Sequence, residues 1–279
     1  MTAEPQLFEL HDLARERGIE GYRRLSKAEL LGAIGELPPP APTTVETSVK
    51  DGLAVLTLRG PGGDNALALE TIEQLADEAE RLSGDQAVRV IAITGAGNRV
   101  FCAGADLPRV RGLPGTEVTE RGSRACDRIA AVPVPTLAVL NGHAVGGGID
   151  LALACDWRIA AQGAKLRFIH NELGYCPPWG GAQRLARLLG PGAALRLFAT
   201  CELLSADEAR TLGLVDAVVP HEKLHGRAEA LAGRVARAGR AAVAATKPLL
   251  GAAEATGHEQ AFAALWDATA SDDGATMQA

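Results

Sequence analysis

Residues 141–156, NGHAVGGGIDLALACD, place three consecutive glycines between a strand pattern and a helix-forming run. The preceding segment 135–140, PTLAVL, is short and almost wholly apolar, which is typical of a strand covered on both faces. Gly146, Gly147 and Gly148 therefore occupy a strand-to-helix turn, where glycine permits positive φ angles and lets a ligand approach the backbone. Free amides and the helix dipole at such a turn attract an oxyanion. Tight helix packing would also explain an isolated glycine run, so both interpretations stay open at this point.

A second turn of the same kind occurs earlier in the chain, in residues 90–107, VIAITGAGNRVFCAGADL. Its CAGAD segment could present another backbone N–H, and two such turns together would form an oxyanion hole with two donors. Removal of one donor from such a hole typically lowers the rate by about 10²–10³-fold. GAGNRV is not a dinucleotide-binding fingerprint, because Val100 stands where the third glycine would be. Neither turn carries the GK[ST] ending of a P-loop.

The hydrophobic pattern divides the chain into a head, a linker, a core and a C-terminal region. The proline run PPPAP is typical of a semi-rigid spacer. We therefore predict a small helical head at residues 1–37, a linker at 38–43, an α/β core at 44–220 and a helical region at 221–279.

Within the core, two alternating apolar runs around Asp51 and Gly52 predict a β-hairpin. Apolar runs at 88–94 and 135–140 predict strands buried on both faces. Helical patterns occur at residues 69–82, 116–131, 180–189, 221–238, 240–254 and 258–270. Strands that alternate with helices indicate an α/β fold.

The head combines two helical patterns with an acidic balance. A helix is predicted from Leu7 to Gly18, and Ser26 with Glu29 forms a capping box for a second helix. The head resembles the small N-terminal domain of transcription termination factor Rho, a relative of SAP-like modules, which implies nucleic-acid contact. Seven acidic residues against five basic ones give the head a net charge of −2, whereas phosphate binding needs a basic face. We therefore expect a docking or solubilising role, without nucleic acid as a partner.

Composition indicates a globular protein, since 47% of the 279 residues are hydrophobic and 22% are charged. The net charge of −6 gives no field that would attract nucleic acid or an anionic membrane surface. Five scattered cysteines have neither CxxC nor metal-ligand spacing, which predicts reduced thiols. No segment has the pattern of a membrane span, and MTAEPQLFEL lacks the features of a signal peptide. We expect a cytoplasmic protein without a metal site or a cofactor.

Seven motifs between about residues 49 and 272 carry a family resemblance. They are VKDGLAVLTL, DNAL, FCAGADL, VPTLAVLNGHAVGGGIDLALACDWRIA, AKLRF, LGYCPPWGGAQRLARLLG and SADEARTLGLVDAVVP. Together they resemble the crotonase family, the enoyl-CoA hydratase/isomerase superfamily. The resemblance implies a crotonase-like spiral of ββα units, a C-terminal helical trimerisation region, and homotrimers or hexamers. It also implies that an acyl thioester, on CoA or a carrier protein, places its carbonyl oxygen on two amides, here those of Ala105 and Gly147.

The resemblance further implies two acid–base positions. Asp150 matches the first catalytic carboxylate of family hydratases, which is usually glutamate, and the first helical turn favours its ionised form. Counting back from GGAQRL without gaps places His170 at the second position, whereas a local gap would give that role to Glu172. Histidine is a competent general acid or base at neutral pH. Apart from the family, Asp150 could be a helix-terminal charge and His170 a packing residue. His143 is commonly histidine in the family, and we expect it to be structural.

Several residues near the expected substrate depart from the family pattern. Pro178 replaces a glycine whose N–H helps to hold the attacking water, and proline has no N–H. Gly62, Gly63 and Asp64 replace basic residues, which leaves fewer cations for CoA phosphates. The residues expected to contact substrate are Ala103, Asp106, Leu107, Glu172, Tyr175 and Trp179. Packing is the alternative role for the two aromatic residues.

These observations predict an enzyme that stabilises an enolate of an acyl thioester or a β-dicarbonyl compound, with Asp150 and His170 as its acid–base pair. Its reaction would be hydration or dehydration, isomerisation, or another lyase step such as decarboxylation. One alternative is retro-Claisen hydrolysis of a β-diketone, because some family members that do this use a histidine and an aspartate. The other is a non-catalytic crotonase-fold scaffold with an N-terminal docking domain.

Overall fold

The structure is a computed structural model, and it describes residues 14–22, 29–30, 32–33 and 41–251. Its strands are β1 (Thr44–Lys50), β2 (Leu53–Arg59), β3 (Val90–Gly95), β4 (Val100–Cys102), β5 (Thr136–Leu140), β6 (His143–Val145), β7 (Trp157–Ala161), β8 (Lys165–Arg167), β9 (Leu203–Ser205) and β10 (Ala217–Val219). They form a six-stranded sheet in the order β1-β2-β3-β5-β7-β10 and a four-stranded sheet in the order β4-β6-β8-β9.

Helices connect the strands of both sheets. They are α1 (Leu69–Gly84), α2 (Leu107–Val110), α3 (Gly115–Ala131), α4 (Gly147–Ala154), α5 (Gly181–Leu189), α6 (Pro191–Thr200), α7 (Ala206–Thr211), α8 (Leu224–Val235) and α9 (Arg240–Gly251). Single 3₁₀ turns lie at Pro61–Gly63, Ile169–Asn171 and His221–Lys223. The α/β class expected from the sequence is thereby confirmed.

The larger sheet follows from the apolar patterns of its strands. Strands β1 and β2 pair antiparallel as the expected hairpin, and Asp51 and Gly52 take positive φ angles of 49° and 81° in its turn. Strands β2, β3, β5, β7 and β10 pair in parallel, which requires crossover connections. All five residues of β5 are buried, as a central parallel strand requires.

The smaller sheet positions the candidate site. Its neighbouring strands β4, β6 and β8 run parallel, so their carboxyl ends lie at one edge. Strand β4 leads into the CAGAD turn, β6 leads into the glycine run that opens α4, and β8 leads into the 3₁₀ turn Ile169–Asn171. Three chain segments distant in sequence therefore emerge side by side at this edge.

Salt bridges join α1 to α3 on the outer surface of the larger sheet. Arg121 donates to Glu73 at 2.8 Å, and Arg128 donates to Glu80 at 2.7 Å. Side-chain hydrogen bonds from these arginines lower the pKa values of Glu73 and Glu80. The two helices expected at 69–82 and 116–131 are thus confirmed and paired by charge.

The terminal regions are described in part. In the head, Ala14 and Leu30 form a small buried cluster apart from the main core, and the chain turns at Gly18 with a φ of 67°. Ser26, residues 34–40 and residues 252–279 lie outside the described residues, so the capping box, the boundary near residue 37 and the helix at 258–270 stay predictions. The helix expected at 221–238 begins as a 3₁₀ turn and ends at Val235. No helix in the described ranges is long and apolar enough to cross a bilayer.

Candidate active site

Two backbone turns meet at the edge of the smaller sheet. Gly104 has a φ of 100°, and a Cβ placed on it would lie only 3.1 Å from the amide nitrogen of Gly147. Glycine at position 104 therefore permits the CAGAD turn to pack directly against the start of α4. The Cys102 thiol accepts a hydrogen bond from the Gly104 amide at 3.4 Å, and burial raises the pKa of that thiol to about 12. The neutral Cys102 thiol thus stabilises the turn through this hydrogen bond.

The three glycines at the start of α4 serve two purposes. Gly146 takes a φ of 53°, which side chains rarely adopt, although a Cβ there would have room. A Cβ on Gly147 would lie 2.6 Å from Cζ3 of Trp179, and one on Gly148 would lie 2.9 Å from Cβ of Cys102 and closer still to its carbonyl oxygen. Gly146 is needed because of its positive φ angle, and Gly147 and Gly148 are needed because Trp179 and Cys102 pack directly against their backbone.

The amides of Ala105 and Gly147 are candidates for binding a ligand, because neither donates to a backbone acceptor within the described residues. The Leu67 amide donates to the Gly104 carbonyl at 2.7 Å, and the Leu67 carbonyl accepts from the Asp106 amide at 2.8 Å. These two hydrogen bonds occupy the backbone groups that flank Ala105. Gly147 opens α4, and the first amides of a helix have no intrahelical acceptor. Both residues line one cavity of about 530 Å³.

Asp150 and His170 form a buried pair beside this cavity. Oδ2 of Asp150 lies 3.5 Å from Nε2 of His170, and the side chains are 0% and 1% exposed. Neither carboxylate oxygen nor either ring nitrogen has a hydrogen-bond partner within the part of the chain that the structure describes. Gly181 makes room for the carboxylate, because a Cβ there would overlap Oδ1 of Asp150. Buried polar groups without partners are costly, so this pair is the strongest indication of function in the fold.

The two members of the pair have different access to the cavity. The His170 ring forms part of the cavity wall, whereas Asp150 is fully buried and is not among the residues that line the cavity. The ring centroid of His170 is 5.8 Å from that of Tyr175 and 5.9 Å from that of Phe198. Aromatic contacts thus hold the imidazole between the carboxylate and the cavity.

The rest of the cavity wall is mostly apolar. The lining residues are Ala105, Leu107, Val110, Gly115, Val118, Thr119, Ser123, Gly147, His170, Tyr175, Cys176, Pro177, Pro178, Trp179, Gly180 and Gln183. Tyr175 is 42% exposed, and partial burial, followed by the nearby Asp150 charge, raises the pKa of its phenol. A wall of this kind suits an acyl chain, and the phenol of Tyr175 within it is neutral.

Trp179 both lines the cavity and packs the fold. Its side chain is fully buried, and its indole N–H donates to the Val118 carbonyl at 3.1 Å. Its ring lies against Gly122 on α3 and Gly147 on α4, and neither position has space for a Cβ. The packing role is therefore observed, and the substrate contact stays a prediction that the position of Trp179 in the cavity wall permits.

The remaining expected substrate contacts divide between two places. Ala103 and Asp106 line a neighbouring cleft of about 340 Å³, and Leu107 lies on the border shared by the cleft and the cavity. Burial raises the pKa of the Asp106 carboxyl, while Arg109, at 3.1 Å, opposes that shift. Asp106 thus adds a carboxylate to the cleft and not to the apolar cavity.

Glu172 is not brought to the cavity. Its half-exposed carboxylate accepts a hydrogen bond from Arg167 at 2.6 Å, on the outer side of the turn. This placement separates Glu172 from Asp150 and leaves His170 as the side chain that faces the carboxylate. The expected substrate contact at Glu172 and its alternative acid–base role therefore have no support in the geometry.

Comparison with known proteins identifies the fold and the family. The family model described as enoyl-CoA hydratase/isomerase matches residues 48–272. The chain belongs to this family.

Several relatives carry the same description in their names. The chain is 40% identical to crotonyl-CoA hydratase of Syntrophomonas wolfei over 201 residues, which is 71% of this chain and 77% of that protein. It is 39% identical to a probable enoyl-CoA hydratase of Bacillus subtilis, over 69% of this chain and 76% of that one. An enoyl-CoA hydratase structure from Bacillus anthracis superposes with a TM-score of 0.71 at 34% identity, covering 75% and 82% of the two chains. The structure of Pseudomonas aeruginosa DspI gives a TM-score of 0.77 at 30% identity, covering 84% and 99%.

Membership confirms the crotonase-like fold and an enoyl-CoA hydratase/isomerase-like enzyme. Sequence reasoning nevertheless missed two glycines that shape this family member's site. Gly104 permits the contact between the two turns, and Gly181 leaves space for Asp150. Both glycines lie within motifs that the sequence analysis named, CAGAD and GGAQRL, but only their neighbours in space show which side chains would not fit there.

Proposed function

We propose that the enzyme moves a proton at the α-carbon of an acyl thioester through an enolate. The thioester carbonyl oxygen would accept hydrogen bonds from the amides of Ala105 and Gly147. His170 would remove the α-proton, the electron pair would pass to the carbonyl oxygen, and the two amides would stabilise the resulting negative charge. Reprotonation from His170 would complete the transfer, so this step needs only a base and donors.

The buried pair of His170 and Asp150 is the observation that carries this proposal. When His170 takes a proton it becomes a cation, and the Asp150 carboxylate 3.5 Å away would stabilise that cation in a site of low dielectric constant. Because Asp150 does not line the cavity, we assign it as a positioning residue that acts through His170, and His170 as the catalytic residue. The sequence alone had given both residues equal parts.

We propose enoyl thioesters as the substrates, because the relatives are named as hydratases of such compounds. Migration of the double bond between the 3- and 2-positions needs a single base that takes the α-proton and returns it to the γ-carbon. Hydration needs, in addition, a held water molecule. Pro178 in the cavity wall has no N–H to hold that water, so the site as built favours isomerisation over hydration.

A second candidate reaction is retro-Claisen hydrolysis of a β-diketone. A histidine backed by a carboxylate is suited to activate water as a general base. Attack of that water on one carbonyl would break the C–C bond and place the electron pair on the enolate held by Ala105 and Gly147. The geometry of His170 and Asp150 motivates this reaction, whereas the names of the relatives do not.

The scaffold hypothesis receives less support. A non-catalytic protein would have no use for a buried carboxylate and imidazole without hydrogen-bond partners, since replacement by apolar residues often stabilises a core.

We further propose that CoA carries the acyl group and that the protein forms a homotrimer or hexamer. Light scattering after size-exclusion chromatography would test the oligomeric state. Neither candidate reaction requires a cofactor.

The proposal is tested by incubation in D₂O with a 2-enoyl-CoA, a 3-enoyl-CoA, a saturated acyl-CoA and a β-diketone. Mass spectrometry should find deuterium at the α-carbon of the saturated acyl-CoA, and the 3-enoyl-CoA should give a 2-enoyl-CoA product that carries deuterium at its γ-carbon. We expect His170→Ala to lower exchange by about 10²-fold or more, and Asp150→Asn by a similar factor.

The matched control is His143→Gln. The His143 ring accepts a hydrogen bond from the Lys165 amide at 3.2 Å, and glutamine retains an acceptor there. Exchange should survive this substitution. Absence of exchange and turnover with the whole panel would reject the proposal, and C–C cleavage of the β-diketone alone would favour the second candidate.

A further inference from the structure

A polar cleft adjoins the apolar cavity, and residues of the head form part of its wall. The lining residues are Glu16, Arg17, Thr43, Pro61, Gly62, Asp64, Ala66, Ala103, Ala105, Asp106, Leu107 and Pro108. Ala105 and Leu107 line the cavity as well. A ligand whose carbonyl oxygen rests on the Ala105 amide can therefore extend in two directions, into the cavity and into the cleft.

The side chains of the cavity and of the cleft indicate which end of a thioester each would hold. The cavity beyond Leu107 is walled mostly by apolar and aromatic side chains, which suits the acyl chain. The cleft holds carboxylates and an arginine, which suits the polar arm that leaves from the sulfur. The arm therefore emerges past Asp64 and the head.

The head lies directly against this cleft. A Cβ on Gly62 would be 4.0 Å from Cδ of Glu16, so the head side chain packs on the 3₁₀ turn Pro61–Gly63. Arg17 is partly buried and is the only basic residue among the described residues that line the cleft. Asp106 has its own cation, because Arg109 pairs with it at 3.1 Å from outside the lining.

We propose that Arg17 binds a phosphate group on the pantetheine arm of the substrate. Because Arg109 pairs with Asp106, Glu16 and Asp64 are the carboxylates of the cleft that would repel a phosphate, and Arg17 supplies the opposing charge. The planar guanidinium also matches the oxygen geometry of a phosphate. The inference rests on the proposed function and gives the head a part in substrate binding. CoA and a carrier-bound phosphopantetheine share this phosphate chemistry.

The test compares three thioesters of one acyl group, carried by CoA, by 4′-phosphopantetheine and by pantetheine without phosphate. We expect Arg17→Ala to raise KM for the CoA and phosphopantetheine substrates about 5- to 30-fold, with kcat little changed. The pantetheine substrate should show no change, and Arg17→Lys should recover part of the loss. Arg15→Ala is the matched control, because Arg15 lies on the same helical turn but outside the cleft lining.

Each other outcome has a defined meaning. An equal loss with all three thioesters would show a structural role for Arg17, and no loss with any of them would show no role, so either result overturns the proposal. A loss confined to CoA would place the bound phosphate on the nucleotide and not on the pantetheine arm, so it would also overturn the proposal. Calorimetric binding of free CoA to wild type and Arg17→Ala is independent of turnover, so it tests Arg17 even if the proposed reaction fails. Equal CoA affinity of both proteins would then refute the inference.

Discussion

The contact between Trp179 and Gly122 yields the sharpest prediction of the fold. Gly122 lies within α3, where glycine costs about 1 kcal/mol relative to alanine. A Cβ there would overlap Nε1, Cδ1 and Cε2 of the indole ring. We therefore expect Gly122→Ala to displace the ring and break its 3.1 Å hydrogen bond to the Val118 carbonyl.

The size of the effect follows from three contributions. Overpacking costs about 1–3 kcal/mol and the lost hydrogen bond about 1 kcal/mol, while the better helix propensity of alanine returns about 1 kcal/mol. The free energy of unfolding should fall by about 1–3 kcal/mol. Because the same ring also lies against Gly147, kcat/KM should fall about 10-fold or more through misplacement of that amide.

Urea unfolding and steady-state kinetics measure the two effects. Gly233→Ala is the matched control, since Gly233 also lies inside a helix, α8, but a Cβ there meets nothing within 4 Å. The control should be as stable as wild type or more stable. In the double variant Gly122→Ala with Trp179→Leu, the smaller side chain should make the alanine less costly than in the single variant. A Gly122→Ala enzyme with unchanged stability and kinetics would refute this account of the packing.

Three further substitutions test other parts of the structure. Gly181→Ala should lower activity about as much as Asp150→Asn, because its Cβ overlaps Oδ1 of Asp150; activity near wild type, with Gly233→Ala as reference, would contradict this. Pro178→Gly should raise the ratio of hydration to isomerisation by supplying an N–H, and a chromatographic product ratio equal to wild type would count against that role. Arg121→Gln should lower the free energy of unfolding at pH 7 by less than about 1 kcal/mol, as expected of a partly exposed pair, and thermal unfolding would show it as a lower melting temperature. Arg121 lowers the pKa of Glu73, so this stabilisation is present above the ordinary pKa of glutamate and is lost as the pH falls through the lowered value. A wild-type advantage that persists at low pH would contradict it.

Sequence periodicity predicted the long elements well. The hairpin around Asp51, the buried strand β5 and the helices α1, α3 and α5 lie within a few residues of their predicted bounds. Each has either a repeating apolar pattern or a continuous apolar run, and burial on one or two faces enforces that pattern. The strands β4, β6 and β8 were not predicted, because three residues are too few to show a period.

The site was predictable in its members but not in their order. Spacing from GGAQRL favoured His170 over Glu172 yet could not exclude a gap, whereas Arg167 holds Glu172 outside the cavity. Nor could the sequence show that Asp150 is buried outside the cavity wall, since that depends on the space left at Gly181. Contacts between elements decide these points, and no local pattern encodes them.

In the proposed function, the separation of Asp150 from the cavity would limit the reactions that the enzyme can catalyse. Two carboxylates that both face a substrate can divide the work of activating water and protonating carbon. In the proposed function the carboxylate acts on the substrate only through His170, so one group would both take and return the proton. That constraint is satisfied by a double-bond shift along one face of the acyl chain, and also by general-base attack of water on a carbonyl. Both reactions require the charge on Asp150 and neither requires its contact with substrate. Asp150→Asn should therefore lower kcat and leave KM largely unchanged.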